Sequence, residues 1–164
     1  MTGRTHLIVG ILAGIAVAHL NHLHSTALIL PALAGGIGGL LPDLDHPQSM
    51  LSGFVPGAWL LQGLISHRGP THALLFIPAV AALLVAVGAP SVITLALMAG
   101  MISHLICDMS TPAGVRLFQP VAYGSWRLLP GGILGLPGVA WAIETLVGAG
   151  AMIGIVLLIV EGIR

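Results

Sequence analysis

Three short motifs in this chain concentrate residue types that bind metal ions and transfer protons. They are PDLDHPQS at residues 42–49, HRGPTH at residues 67–72 and SHLICDMSTPAG at residues 103–114. Imidazole nitrogens and carboxylate oxygens are the ligands that zinc, manganese and magnesium take from proteins. The motifs therefore predict a metal site, provided that the fold brings them together.

The spacing inside two of the motifs indicates how they would act. His104 and Asp108 are four residues apart, so on a helix both side chains lie on one face, where they can share a metal or pair with each other. His67 and His72 bracket a Gly-Pro turn before an apolar run. That position, with Arg68 between the two histidines, predicts a helix N-terminus suited to an anionic substrate. The alternative interpretation is that His67 and His72 are simply paired histidines at the membrane interface.

The loop at residues 42–49 has two interpretations. Asp43, Asp45 and His46 lie between two prolines, which describes a rigid set of oxygen and nitrogen donors. The same residues suit an ordinary turn at the end of a helix, because Asp often bonds to its own backbone there. His46 or Asp45 is our candidate for proton transfer, on proximity alone.

Membrane helices must position these motifs, because the rest of the chain is almost wholly apolar. Of 164 residues, 57% are hydrophobic and 6% are charged, whereas a soluble domain carries about 25% charged residues. Apolar runs predict helices at residues 7–20, 27–41, 73–89, 92–107 and 133–160. Residues 51–66 are broken by Gly53 and Pro56, which favours an interfacial or re-entrant segment.

We therefore predict an all-α fold, a polytopic membrane helical bundle of about five transmembrane helices, formed as a single domain over residues 1–164. Alternating the helices across the bilayer brings every motif to one face, where His6 joins them from the start of the first helix. Independent core histidines would rarely converge in this way. A metal is the usual compensation for such a cluster of ionisable groups at a membrane. His19, His22 and His24 fall on the opposite face as polar interfacial residues.

The few charged residues indicate orientation and exclude one class of partner. Four arginines flank the motif face, and a fifth lies across the membrane if the last run spans once; the four are Arg4, Arg68, Arg116 and Arg127. The positive-inside rule then puts the motif face in the cytoplasm. Five arginines balance five acidic residues, so no basic surface is available for nucleic acid and we expect no direct nucleic-acid partner.

Two segments keep alternatives open. Arg4 and the small residues at 16–18 also fit a signal peptide, but its removal would discard His6, so we expect the segment to be retained as a helix. Glu144 lies inside the run at 133–160, where a carboxylate predicts a ligand or proton-transfer role. If that run is two pieces, Glu144 would instead occupy an interfacial turn after Pro137.

In order and spacing, the motifs resemble the YdjM-like family of membrane-bound metal-dependent hydrolases, also described as LexA-binding and inner-membrane-associated. The resemblance rests on the opening MTGRTH, the PDLDHPQS loop, HRGPTH followed by ALLF, SHLICD with TPAGVRLFQP, and a late Glu after a Pro-Gly-rich stretch. It implies a relative of the zinc-dependent phospholipase C and single-strand nuclease superfamily, which also uses a His-x-x-x-Asp helix pair. By position, it implies metal ligands at His6, Asp43, His67, His72, His104 and Asp108.

We therefore expect a hydrolase in the inner, cytoplasmic membrane that acts on a phosphoester, lipid-linked or small, with membrane lipids around it and, by the resemblance, a regulatory protein partner. One or two divalent ions, zinc first and manganese or magnesium otherwise, would activate water. The candidate catalytic residues are His46, Asp45, Arg68 and Glu144, and Arg68 and Arg127 are candidates for holding phosphate.

Two other functions compete with hydrolysis. One is a metal-ion transporter, although transport sites usually lie near the bilayer midplane on broken helices, whereas these motifs lie at span ends. The other is a regulatory membrane protein in which the metal is structural.

Overall fold

Apolar helices dominate the computed structural model, which describes residues 1–53, 55 and 69–163. Its α-helices are α1 (Gly3–Leu20), α2 (Ile29–Leu40), α3 (Phe76–Ala86), α4 (Ser91–Met109), the single-turn α5 (Gly131–Leu134) and α6 (Val139–Ile163). Short 3-10 turns at Ser25–Leu28 and Leu41–Asp45 flank α2, and a third, Pro70–His72, precedes α3. Within the described residues the only strand-like pairing is an isolated bridge between Val115 and Trp126.

In the part of the chain that the structure describes, four segments are long and apolar enough to cross a membrane, namely Gly3–Leu20, Ser25–Asp45, Ser91–Met109 and Val139–Gly162. The apolar α3 is shorter, with 11 residues. These elements confirm the predicted helical membrane bundle. The expected interfacial or re-entrant segment at residues 51–66 lies largely outside the described residues.

Two helix boundaries at the motif face differ from the ends of the apolar runs. The third helix begins at Phe76 rather than at residue 73, because the separate 3-10 turn Pro70–His72 ends at an extended Ala73, with a ψ of 146°. The last run is broken between α5 and α6, where Gly138 adopts a φ of +82°, a left-handed conformation that interrupts a helix. Glu144 nevertheless lies inside α6 and not in a turn.

Close contact between α1, α2 and α4 organises the end of the bundle that carries the motifs. A Cβ atom on Gly100 of α4 would overlap the carbonyl oxygen of Gly35, and one on Gly39 would overlap the carbonyl oxygen of His6. Small residues allow membrane helices to approach until their backbones touch. The backbone of α2 therefore lies directly against both neighbours, with its last carbonyls beside the motif residues.

The long helix α6 is peripheral. Within α6, 6% of an apolar 18-residue window is buried inside the protein. The corresponding share for the segment that contains α2 is 50%. It runs parallel to α1, with Gly154 against Leu12, and the His19 imidazole Nε2 donates a hydrogen bond to the Leu158 carbonyl at 2.9 Å. Because it packs mainly on α1, and near its end also on Leu28 of the 3-10 turn before α2, the position of α6 depends chiefly on α1.

Candidate metal centre

Four elements deliver histidine and aspartate side chains to one end of the bundle. His6 lies in the first turn of α1, and Asp43 lies in the 3-10 turn that continues α2. His72 ends the 3-10 turn before α3, while His104 and Asp108 occupy the last turns of α4. The convergence predicted from alternating spans is therefore found for all five residues.

The ligand atoms of these residues face one another across short distances. His72 Nε2 lies 3.3 Å from His104 Nε2. Asp43 Oδ1 lies 3.5 Å from the first nitrogen and 3.7 Å from the second. Asp108 Oδ2 lies 3.8 Å from both. Ligand atoms held about 2.1 Å from a tetrahedral ion are about 3.4 Å apart. The distances between the ligand atoms in this cluster are therefore close to those expected around one shared zinc ion.

The protonation of His104 is fixed by a backbone carbonyl. Its Nδ1 lies 2.7 Å from the Gly39 carbonyl oxygen. A carbonyl oxygen only accepts, so Nδ1 carries the proton and the neutral ring presents a lone pair at Nε2. Metal-binding histidines commonly have this second contact, which orients the ring. The contact between His104 and the Gly39 carbonyl is possible because glycines let the backbones of α2 and α4 come close together.

His72 is oriented in the same way through a hydroxyl group. Thr71 Oγ1 donates to Asp45 Oδ2 at 2.7 Å and lies 3.1 Å from His72 Nδ1. Because the threonine proton is directed to the carboxylate, its oxygen accepts from Nδ1–H, which leaves the lone pair of His72 on Nε2. Asp45 is 2% exposed and lies behind His72, on the side away from His104.

His6 completes the cluster from the side of α1. Its ring stacks on that of His104, with centroids 3.8 Å apart and planes inclined by 21°. His6 Nε2 lies 3.2 Å from Asp108 Oδ1, and its Nδ1 is buried without a hydrogen-bond partner among the described residues. Such an unpaired buried nitrogen is costly and is a further potential ligand atom.

The donor set fits a divalent cation. His6, His72 and His104 are at most 1% exposed and Asp108 is 2% exposed. Opposed lone pairs flanked by carboxylates repel one another in a buried site unless a cation lies between them. Among the described residues, two overlapping groups have ligand atoms within 4.8 Å of one another: His6, Asp43 and His104, and His72, His104 and Asp108.

Comparison with known proteins agrees with the motif pattern. The family model described as YdjM inner membrane protein matches residues 1–163. The chain belongs to the YdjM family. It is 34% identical over 121 residues to YvsG, an uncharacterized protein of Bacillus subtilis, a match that covers 73% of this chain and 74% of YvsG. It is 38% identical over 96 residues to the inner membrane protein YdjM of Escherichia coli.

That second match covers 54% of this chain and 46% of the Escherichia coli protein, so the similarity spans about half of each. No solved structure matches the chain. Membership of the YdjM family, together with helices that are long and apolar enough to span, identifies the chain as a membrane protein.

A polar cavity of about 220 Å³ opens onto the candidate metal centre of this YdjM-family chain. It shares His6, Asp43 and Asp108 with the centre; the other lining residues are Met1, Gly3, Leu40, His46, Gln48, Ser49 and Met50. His46 Nδ1 accepts the Gln48 backbone N–H at 3.2 Å. The predicted catalytic residue His46 is thus beside the cavity, whereas Asp45 is not among its lining residues.

The other predicted site residues are distributed unevenly. His67 and Arg68 lie outside the described residues, so their roles stay predictions. Arg127 donates to the carbonyl oxygens of Pro112 and Ala113 at 2.6 and 3.3 Å, which engages its guanidinium in holding the loop after α4. Glu144 Oε1 accepts hydrogen bonds from the start of α1.

Two contributors were missed by the sequence analysis. Thr71 carried a usable signal, because it directly precedes His72 and threonine is a common hydrogen-bond partner of an imidazole. The Gly39 carbonyl carried none, since every residue has a carbonyl and only the packing of α2 on α4 selects this one.

Proposed function

We propose that this protein is a metal-dependent phosphoester hydrolase whose site opens at the cytoplasmic face of the inner membrane. The observation that carries the proposal is the pair of opposed Nε2 lone pairs of His72 and His104, flanked by two buried or half-buried carboxylates and adjoining a polar cavity. A metal site beside a cavity can keep one coordination position open for water or substrate. Such a site suits catalysis, whereas structural metal sites are closed.

The ion would be held by His72, His104, Asp43 and Asp108, with His6 beside them. Imidazole-rich ligand sets favour zinc, and the carboxylates keep manganese or magnesium in competition. When bound, such an ion lowers the pKa of a coordinated water toward about 7 and polarises a phosphoryl oxygen. His104 has one lone pair available and so would bind one ion, and a second ion would have to be held by other residues of the cluster.

The residues around the ion would divide the remaining tasks. Asp45 and Thr71 hold the His72 ring, a positioning role that suits the burial of Asp45 better than proton transfer does. His46 accepts a backbone N–H at Nδ1, so in the neutral ring the proton is on Nε2, from which the ring would donate a hydrogen bond to a phosphoryl oxygen or to the leaving oxygen of the substrate. Arg68 remains our candidate for holding phosphate.

A lipid-linked substrate is supported by the surface beside the site. An apolar cavity of about 570 Å³ is lined by Leu74, Leu75 and Pro78, at the start of α3, and by residues 117–122 of the loop after α4. Leu74 is two residues beyond His72 and its N–H bonds to the Leu117 carbonyl at 2.9 Å. An acyl chain in this cavity would leave its phosphate near the metal centre.

Hydrolysis by purified protein tests the proposal. Protein reconstituted in lipid and loaded with Zn²⁺, Mn²⁺ or Mg²⁺ is assayed on phospholipids, lipid phosphates and soluble phosphoesters. We expect metal-dependent release of phosphate or a phosphorylated headgroup, lost in His104→Ala and kept in the matched control His22→Asn. His22 is exposed on the opposite face with a φ of 59°, which asparagine tolerates. No metal-dependent hydrolysis across the panel would overturn the proposal.

Orientation is tested separately with single cysteines. Tyr123, 66% exposed, lies on the motif side, and His24 lies on the other. A membrane-impermeant maleimide applied to intact spheroplasts should label His24→Cys and not Tyr123→Cys, since the endogenous Cys107 is buried. Labelling of Tyr123→Cys alone would reverse the orientation.

A further inference from the structure

Glu144 connects the peripheral helix α6 to the beginning of α1. Its Oε1 atom accepts the Thr2 backbone N–H at 2.8 Å and the Thr5 hydroxyl at 2.8 Å. The first N–H groups of a helix have no partner inside the helix. The Thr2 side chain does not cap α1, so a carboxylate from another helix supplies an acceptor and a favourable negative charge at this end.

The turn that Glu144 holds is the one that carries His6. Thr5 is 6% exposed and directly precedes His6 in α1. His6 in turn stacks on His104 and lies 3.2 Å from Asp108 Oδ1. A shift of this turn would therefore move one imidazole relative to both α4 residues of the metal centre.

Both contacts of Glu144 use the same oxygen, and both are made to α1. This arrangement suits a group that holds backbone and hydroxyl donors in place. It does not resemble a proton-transfer group, which needs access to the reacting atoms. The opposite end of α6 is held on the same helix by the bond from His19 to Leu158, so α6 braces α1 at both ends.

We propose that Glu144 is a positioning residue of the metal centre, which fixes the first turn of α1 and thereby sets His6 against Asp108 and His104. The inference rests on the proposed function only in taking this cluster as the metal centre. Loss of such an outer contact typically weakens metal binding by about 10–100-fold. We expect a value near the lower end, because His6 is one of five contributing side chains.

Binding of Co²⁺, whose visible absorption reports its ligands and geometry, tests this role without a substrate. Glu144→Ala should weaken Co²⁺ binding about 10-fold and give the altered spectrum of His6→Ala. Glu144→Gln keeps an accepting oxygen and should restore most of the wild-type affinity and spectrum. Glu161→Ala is the matched control, since Glu161 is exposed at the far end of the same helix, and it should bind as the wild type does.

The double variant Glu144→Ala/His6→Ala separates positioning through His6 from a general loss of structure. It should bind Co²⁺ no more weakly than His6→Ala alone, because Glu144 has nothing left to position. Fully additive losses, or a Glu144→Ala protein with wild-type affinity and spectrum, would overturn the inference. A wild type that binds Co²⁺ without hydrolysing anything would overturn the proposed function and leave this inference standing, and a wild type that binds no Co²⁺ would overturn both.

Discussion

His72 and His104 present their Nε2 lone pairs to each other across 3.3 Å. Each ring is held in this state by its other nitrogen, which donates to the Gly39 carbonyl in His104 and to the Thr71 hydroxyl in His72. When both rings are neutral, the two nitrogens repel each other unless a metal ion or a proton lies between them. The folded state is therefore expected to be coupled to metal binding.

Removal of the metal should lower the thermal stability of the protein. A ligand that binds only the folded state at about 1,000 times its Kd contributes about 4 kcal/mol. We expect a chelator to lower the unfolding temperature of the wild type in detergent, and re-addition of Zn²⁺ to restore it. His104→Ala should melt near the chelated wild type and respond to neither treatment. Identical melting of the wild type with and without chelator would contradict this prediction.

The hydroxyl of Thr71 should control metal affinity although it is not a ligand. Thr71→Val keeps the shape of the side chain but removes the acceptor for His72 and the donor to Asp45, so we expect metal binding to weaken about 10–100-fold. Thr71→Ser retains the hydroxyl and should bind within a few-fold of the wild type. Titration calorimetry measures both, and equal affinity of the valine and serine variants would rule out the relay.

The contact between α2 and α4 should not tolerate a single added methyl group. Gly100→Ala would bring its Cβ into the Gly35 carbonyl oxygen, and such overpacking costs about 1–3 kcal/mol. Separation of the helices would also withdraw the Gly39 carbonyl from His104, so metal binding should fall with stability. Gly148→Ala, in open space on α6, is the control and should be neutral or stabilising by up to about 1 kcal/mol. Unfolding curves that rank the two variants in the opposite order would refute this account of the packing.

Filling the apolar cavity beside α3 should change substrate preference and not the chemistry. Ala122 lines that cavity, so Ala122→Trp would occupy the space proposed for an acyl chain. We expect a several-fold higher KM for a long-chain lipid phosphoester and little change for a short-chain soluble one. Ala140→Trp, an exposed alanine on α6 that does not line the cavity, is the control. An equal effect of Ala122→Trp on both substrates would argue against a lipid tail at this position.

The sequence by itself determined the class of fold and which five of the described residues would meet in the donor cluster. Hydropathy located the spans, because a bilayer admits only segments whose backbone is satisfied internally and whose side chains are apolar. Alternation of those spans then assigned His6, Asp43, His72, His104 and Asp108 to one face. Topology alone sufficed, since each residue lies at a helix end. The ends of the helices were less well predicted, because local turns at Pro70 and Gly138 overrode the apolar pattern.

Only the tertiary structure decided what each residue contacts within that cluster. Asp45 and His46 are neighbours in sequence, yet Asp45 is buried behind His72 and His46 lies beside the cavity. Glu144 could be read from the sequence as a buried acid or a turn residue, and it proved to hold the start of α1 from a distant helix. These roles depend on side-chain direction and on contacts across more than 100 residues of chain, neither of which is encoded in hydropathy or local spacing.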